Sequence, residues 1–162
     1  MENQIESDSE STDDVYASGG GGAARANVAG KGRALIIDDS VDITLMLDMI
    51  LRRAGYQTYT AFTGADALRA ARSTHFDLIL SDIGMPLMNG YELCAELRKM
   101  ADYSEVPLVA ITGYAHYEDR DEALKCGFNA LLNKPIDPSN LLAVIEDLRA
   151  QTVKSERPLS PS

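Results

Sequence analysis

The chain has 162 residues, of which 45% are hydrophobic, and a formal net charge of −10. That is enough apolar material for one globular core, so disorder throughout is excluded. The acidic balance argues against contact with nucleic acid or an anionic membrane.

Residues 1–32 hold six acids against Arg25 and Lys31, include the run "GGGG", and have almost no large apolar side chains. They read as a disordered acidic tail and a flexible linker. Their opening, "MENQIESDSE", lacks the basic start and apolar segment of a signal peptide, and no run in the chain is long enough for a membrane span. "RALII" follows as a buried strand that stops at two adjacent acids, Asp38 and Asp39. "VDITLMLDMILRRAG" has helical period. Ile43, Met46, Leu47, Ile50, Leu51 and Ala54 share one face, with Ser40 as N-cap and Gly55 just past the end. Val41, Leu45 and Met49 add apolar surface beyond that stripe.

"YQTYTAF" reads as a strand, and Thr63 opens the helix "TGADALRAARS" with Asp66 in the capping-box position. "FDLILSD" is an apolar run ending in Asp82, and "YELCAELRKMA" is helical. "VPLVAIT" is a strand ending in Thr112, and "EDRDEALKCG" a helix with acids in its first turn and a glycine stop. "ALLNKP" is a short strand ending in Lys134, and Asp137 and Pro138 open a last helix through "LLAVIEDLRA". Residues 151–162 read as a second short tail, which leaves one domain over 33–150. Cys94 and Cys126 are far apart in sequence and form no CxxC; each reads as a lone buried thiol in a reducing, cytoplasmic compartment.

Five strand–helix pairs imply a parallel sheet covered on both faces: a doubly wound α/β fold with strand order 2-1-3-4-5. Such sheets carry their sites at the carboxyl ends of the strands. Asp38, Asp39, Asp82, Thr112 and Lys134 should therefore converge on one edge. Three close carboxylates need a cation, and an all-oxygen set with open positions suits Mg²⁺. Lys134 and Thr112 can meet phosphoryl oxygens, and Asp82 can act as a carboxylate nucleophile that forms an acyl phosphate.

Residues 33–150 resemble the receiver domain of two-component response regulators. The resemblance rests on "DD" at 38–39, "DIGMPLMNG" from Asp82, "ITG" from Ile111 and "NKP" from Asn133, in that order. It implies the flavodoxin-like fold and Asp82 as phospho-acceptor. Asp39, Asp82 and the Gly84 carbonyl would hold Mg²⁺ directly, and Asp38 largely through water. Thr112 and Lys134 would contact the phosphoryl group, and the Lys134–Pro135 bond would be cis. The wording is closer to receivers of hybrid histidine kinases than to those fused to DNA-binding domains. The implied partners are a histidine kinase or histidine phosphotransfer protein upstream and a protein target downstream. The domain would assist its own phosphorylation and dephosphorylation rather than act as an enzyme on a separate substrate.

Two departures stand out. Receivers usually carry Tyr or Phe three residues before the lysine, where this chain has Leu131; Tyr114 and Tyr117 are the nearby aromatics. Two residues after the acceptor stands Gly84, with no side chain to shield a phosphoryl group. Neither flank is long enough to bury its own core, so output through protein contact or relay is expected rather than through an appended domain. A haloacid dehalogenase would need DxD after the first strand, and "DDS" lacks it. A pseudo-receiver that binds without phosphorylation is the alternative, but this chain keeps both the acid pair and the acceptor. His75 and His116 are solitary and lack metal-ligand spacing, and Met85, Met88 and Met100 read as core filler.

Overall fold

The computed structural model describes residues 30–113 and 117–156. The expectations for residues 1–29, for Tyr114 and His116, for the side chain of Tyr117 and for residues 157–162 lie outside the described residues.

The elements alternate along the chain: β1 (Gly32–Ile37), α1 (Val41–Arg53), β2 (Tyr56–Ala61), α2 (Gly64–Ser73), β3 (Leu78–Asp82), α3 (Gly90–Lys99), β4 (Leu108–Thr112), α4 (Tyr117–Cys126), β5 (Ala130–Asn133) and α5 (Pro138–Glu156). The strands form one parallel sheet in the order β2-β1-β3-β4-β5, as the alternation predicts. A single 3₁₀ turn, Ala101–Tyr103, links α3 to β4.

Alternation along each strand sends successive side chains to opposite faces. Ala34, Ile36, Leu78, Leu80, Val109 and Ile111 pack with Leu47 and Leu51 of α1 and Leu141 and Ile145 of α5. Leu35, Ile37, Ile79, Leu108 and Ala110 pack with Leu68 of α2, Leu93 and Leu97 of α3 and Ala123 of α4. Because both faces are covered, β3 and β4 are buried along their whole length, hence their unbroken apolar runs.

The helix boundaries follow local chemistry. Ser40 and Thr63 accept hydrogen bonds from the backbone N–H groups of Ile43 and Asp66. Gly55 and Gly127 take the positive φ that closes a helix, +106° and +120°. The last helix differs from expectation. It runs to Glu156, past the expected end of the domain at residue 150. The physical reason is that "QTVKSE" contains neither Gly nor Pro, and the first breaker in the sequence is Pro158.

Candidate functional site

Three of the five predicted residues stand at strand ends beside the switch point of the sheet. Asp38 follows β1, and its backbone N–H donates to the Ala61 carbonyl at 3.2 Å, while its Oδ1 accepts from Ser40 N–H at 2.9 Å. These bonds fix the carboxyl group at a depth where only 1% of the residue is exposed. Asp82 ends β3 and is 6% exposed. Asp39, the next residue along from Asp38, faces solvent. One oxygen from each of Asp38, Asp39 and Asp82 lies within 4.8 Å of the others.

Lys134 completes the cluster. It leaves β5 beside a Lys134–Pro135 peptide that is cis, and its backbone N–H donates to the Thr112 carbonyl at 2.8 Å. Its Nζ reaches Asp38 Oδ2 at 3.0 Å and Asp82 Oδ1 at 3.5 Å. Thr112 ends β4 and is buried, and β4 lies between β3 and β5. The Gly84 amide lies 3.4 Å from Asp82 Oδ1, and a side chain at Gly84 would meet nothing within 4 Å. The space beside Gly84 is therefore open.

The electrostatics are those of an acid cluster short of positive charge. Burial, and then the Asp38 carboxylate, push Asp82 above the usual carboxylate range; Lys134 and the Gly84 amide pull it part of the way back. Burial works against the charged form of Lys134, but Asp38 and Asp82 more than offset it and hold the lysine above its ordinary value. Asp38 Oδ2 is buried and makes no well-directed hydrogen bond among the described residues, despite the nearby lysine charge. The three carboxylates, each with an oxygen within 4.8 Å of the others, make an all-oxygen donor set that fits a hard divalent cation.

Three further contacts shape the loop after Asp82. Asn89 and Glu92 form a reciprocal capping box that opens α3, a signal readable in "NGYE". Gly90 N–H donates to the Ile83 carbonyl at 2.8 Å, so the loop 83–89 closes on itself beside Asp82. At its tip, Met88 N–H donates to the Pro86 carbonyl at 2.8 Å around Leu87, whose φ is +70°. This is a γ-turn on a residue that disfavours it. Nothing in "MPLM" announces it.

The other singled-out residues are structural. Leu131 is buried in the core beneath α2, α3 and α4. Met85 is buried, and Met88 and Met100 pack against the same cluster. Cys94 is buried and Cys126 only partly so. Distant in sequence, they are neighbours in space, because Cys94 Sγ–H donates to the Cys126 carbonyl at 3.3 Å. Burial pushes the Cys94 thiol up to about 11, which keeps it protonated. His75 stacks on Tyr103 with ring centroids 5.3 Å apart.

Fold and pocket together define the class of doubly wound proteins that carry an acidic, lysine-bridged site at the carboxyl edge of a five-stranded sheet. Residues 34–146 match the family model for the response regulator receiver domain. A relative from Pyropia yezoensis, named probable transcriptional regulator ycf29, is 35% identical over 130 residues. These make up 80% of this chain, which spans 59% of that protein's length. The chemotaxis protein CheY4 of Vibrio cholerae superposes with a TM-score of 0.69 at 34% identity, covering 72% of this chain and 97% of that one. The receiver domain of sensor histidine kinase PA1611 from Pseudomonas aeruginosa, solved with a magnesium ion in its active-site cleft, gives 0.68 at 28% identity, over 74% and 98%. The chain belongs to the response regulator receiver domain family of two-component signalling. Among its described residues, no helix is long and apolar enough to cross a membrane.

Proposed function

We propose that this domain accepts a phosphoryl group on Asp82 from a phosphohistidine protein, in a Mg²⁺-dependent reaction, and passes the signal on by protein contact or phosphotransfer. The observation that carries the reading is the lysine that bridges two buried carboxylates, 3.0 Å from Asp38 and 3.5 Å from Asp82. A charged nucleophile is thereby held in place while the pocket still lacks positive charge.

An Asp82 carboxylate oxygen attacks phosphorus in line. The new P–O bond forms as the P–N bond to the donor imidazole breaks, and the electron pair stays on the departing nitrogen. Lys134 moves its charge onto a phosphoryl oxygen, and the Thr112 hydroxyl meets another. Asp39, Asp82 and the Gly84 carbonyl would hold the Mg²⁺ directly, and Asp38 largely through water. When bound, the ion offsets the charge that builds on the transferring oxygens. The domain turns over no separate substrate and only assists its own modification.

The donor docks beside the pocket on α1 and the loop after Lys134. Val41, Leu45 and Met49 are each more than half exposed at one-turn spacing, and Pro135 is exposed. Helix α5 leaves that stripe uncovered. Intact mass after incubation with acetyl phosphate tests the reading. One phosphoryl group is expected with Mg²⁺ and none in chelator or in Asp82→Asn. Equal labelling in chelator overturns it.

A further inference from the structure

A cavity of about 380 Å³ lies at the amino edge of the sheet, the end opposite the acid pocket. Lys31, the starts of β2 and β3, the segment 101–107 and α5 enclose it. Strand β3 enters beside it at Leu78 and ends at Asp82, so about 13 Å of strand separate the two places. The apolar part of its lining is Leu78, Val106, Pro107, Ile145 and the Tyr56 ring. A volume of that order holds a small organic molecule.

Part of the charge around the cavity is already satisfied. Lys31 Nζ donates to Glu146 Oε2 at 2.9 Å. Asp77 accepts from the Arg33 amide at 2.9 Å and stands 3.7 Å from His75 Nε2. Other groups are left over. Tyr56 is only 6% exposed, yet its hydroxyl has no hydrogen-bond partner among the described residues. Burial pushes that hydroxyl up to about 12, against the pull of the Arg149 charge beside it. It therefore stays protonated, and a buried hydroxyl without an acceptor costs free energy. The Arg149 guanidinium comes no closer than 3.8 Å to Glu146, too long for a hydrogen bond. On the other side of the cavity Asp102 and Glu105 are exposed, and neither has an ion pair with a described residue.

We propose that this cavity binds a small zwitterion with a flat, apolar middle. The ligand carboxylate sits between the Tyr56 hydroxyl and the Arg149 guanidinium, and the ligand ammonium group faces Asp102 and Glu105. Its middle covers Leu78, Val106 and Ile145. The fork of Arg149 donors matches both oxygens of a carboxylate. A ligand with negative charge alone is disfavoured, because Asp77, Asp102, Glu105 and Glu146 outnumber Lys31 and Arg149. A ligand with positive charge alone leaves the Tyr56 and Arg149 donors unmet. Carrying both charges satisfies both sides. The site stands apart from the phospho-acceptor reading and does not depend on it.

The probe is 4-(aminomethyl)benzoate, and 4-methylbenzoate and benzylamine are controls that each lack one charge. Amide NMR spectra of the full chain follow each titration. The zwitterion should bind with a Kd of about 1 mM, roughly tenfold more tightly than either control. Shifts should centre on residues 75–78 and 104–107. Tyr56→Phe keeps the ring, and Arg149→Ala keeps the helix. Each should weaken the zwitterion roughly tenfold and leave benzylamine unchanged. Asp102→Asn combined with Glu105→Gln should abolish the advantage over 4-methylbenzoate. If Tyr56→Phe unfolds the chain, the exposed Arg149, Asp102 and Glu105 still decide the matter. Equal binding of the three compounds, shifts centred elsewhere, or no shift at about 10 mM probe overturns the site.

Discussion

A Cβ atom on Gly90 would stand 2.5 Å from the backbone carbonyl oxygen of Asp82 and 2.7 Å from the Ile83 Cα. Both neighbours are backbone, so neither can swing aside. The first residue of α3 is packed directly on the end of β3, and only hydrogen fits. Gly90→Ala should destabilise the fold by about 1–3 kcal/mol, the usual cost of overpacking. It should also displace Asp82. The measurements are a urea melt and labelling by acetyl phosphate. Unchanged values in both would mean that the strand and helix yield more easily than their packing implies.

The raised Asp82 pKa gives a pH dependence with a definite sign. The folded state holds this proton more tightly than the unfolded chain, where the ordinary value is 3.8. Stability therefore falls as pH rises from there through the folded value, and at pH 7 the ionised cluster is destabilising. In chelator, Asp82→Asn should raise the urea midpoint at pH 7 and flatten its pH profile. A less stable variant would contradict the burial and Asp38 repulsion assigned to this carboxylate.

Lys134 behaves in the opposite sense. Its folded pKa lies above the ordinary lysine value of 10.5, so its stabilisation is complete below that pH and is lost as pH rises through the folded value. Lys134→Ala in chelator at pH 7 should cost about 2–3 kcal/mol, because Asp38 is left buried and unpaired. Mg²⁺ should restore most of it, since a ligand at a hundred times its Kd contributes about 2.7 kcal/mol. Metal affinity should not fall, but conformational coupling to phosphorylation should weaken. A large loss of Mg²⁺ affinity with unchanged coupling would overturn the assignment.

Arg98 ties three segments together far from the pocket. Its guanidinium donates to the carbonyls of Gly127, Tyr103 and Val106 and to Asn129 Oδ1, at 2.6–3.0 Å. A lysine cannot reproduce that fork. Both Arg98→Ala and Arg98→Lys should lose stability, the alanine by about 3 kcal/mol. Acetyl phosphate labelling of the folded fraction should persist in both. Chemical denaturation followed by two probes would show it.

A side chain at Gly84 would meet nothing within 4 Å, and the backbone there is not left-handed. Gly84→Tyr should lengthen the lifetime of the aspartyl phosphate several-fold by excluding attacking water. Loss of label over time from the purified phosphoprotein measures it. A lifetime equal to that of the glycine form would place the hydrolytic water elsewhere.

Most of the pocket was legible because its residues end apolar runs. Asp38, Asp82, Thr112 and Lys134 each follow a stretch whose hydrophobicity marks a strand, and strand order then sets their neighbours. The Ser40 and Thr63 caps were legible for the same local reason. The Leu87 turn was not, because leucine carries no preference for a positive φ. The Arg98 fork and the Cys94–Cys126 contact depend on how α3 and α4 pack, which no periodicity encodes. The last helix outruns its expected end because its apolar pattern fades well before the first breaker, Pro158.

The Asp38–Lys134 ion pair joins the end of the first strand to the end of the last. A ribosome must therefore release almost the whole domain before the lysine can meet its acids. Parallel pairing of such distant segments is slow to form. A partly synthesised or misfolded copy has Asp82 but neither the lysine bridge nor the folded acid pocket around it. Assembly of the pocket is thus a report of completed folding.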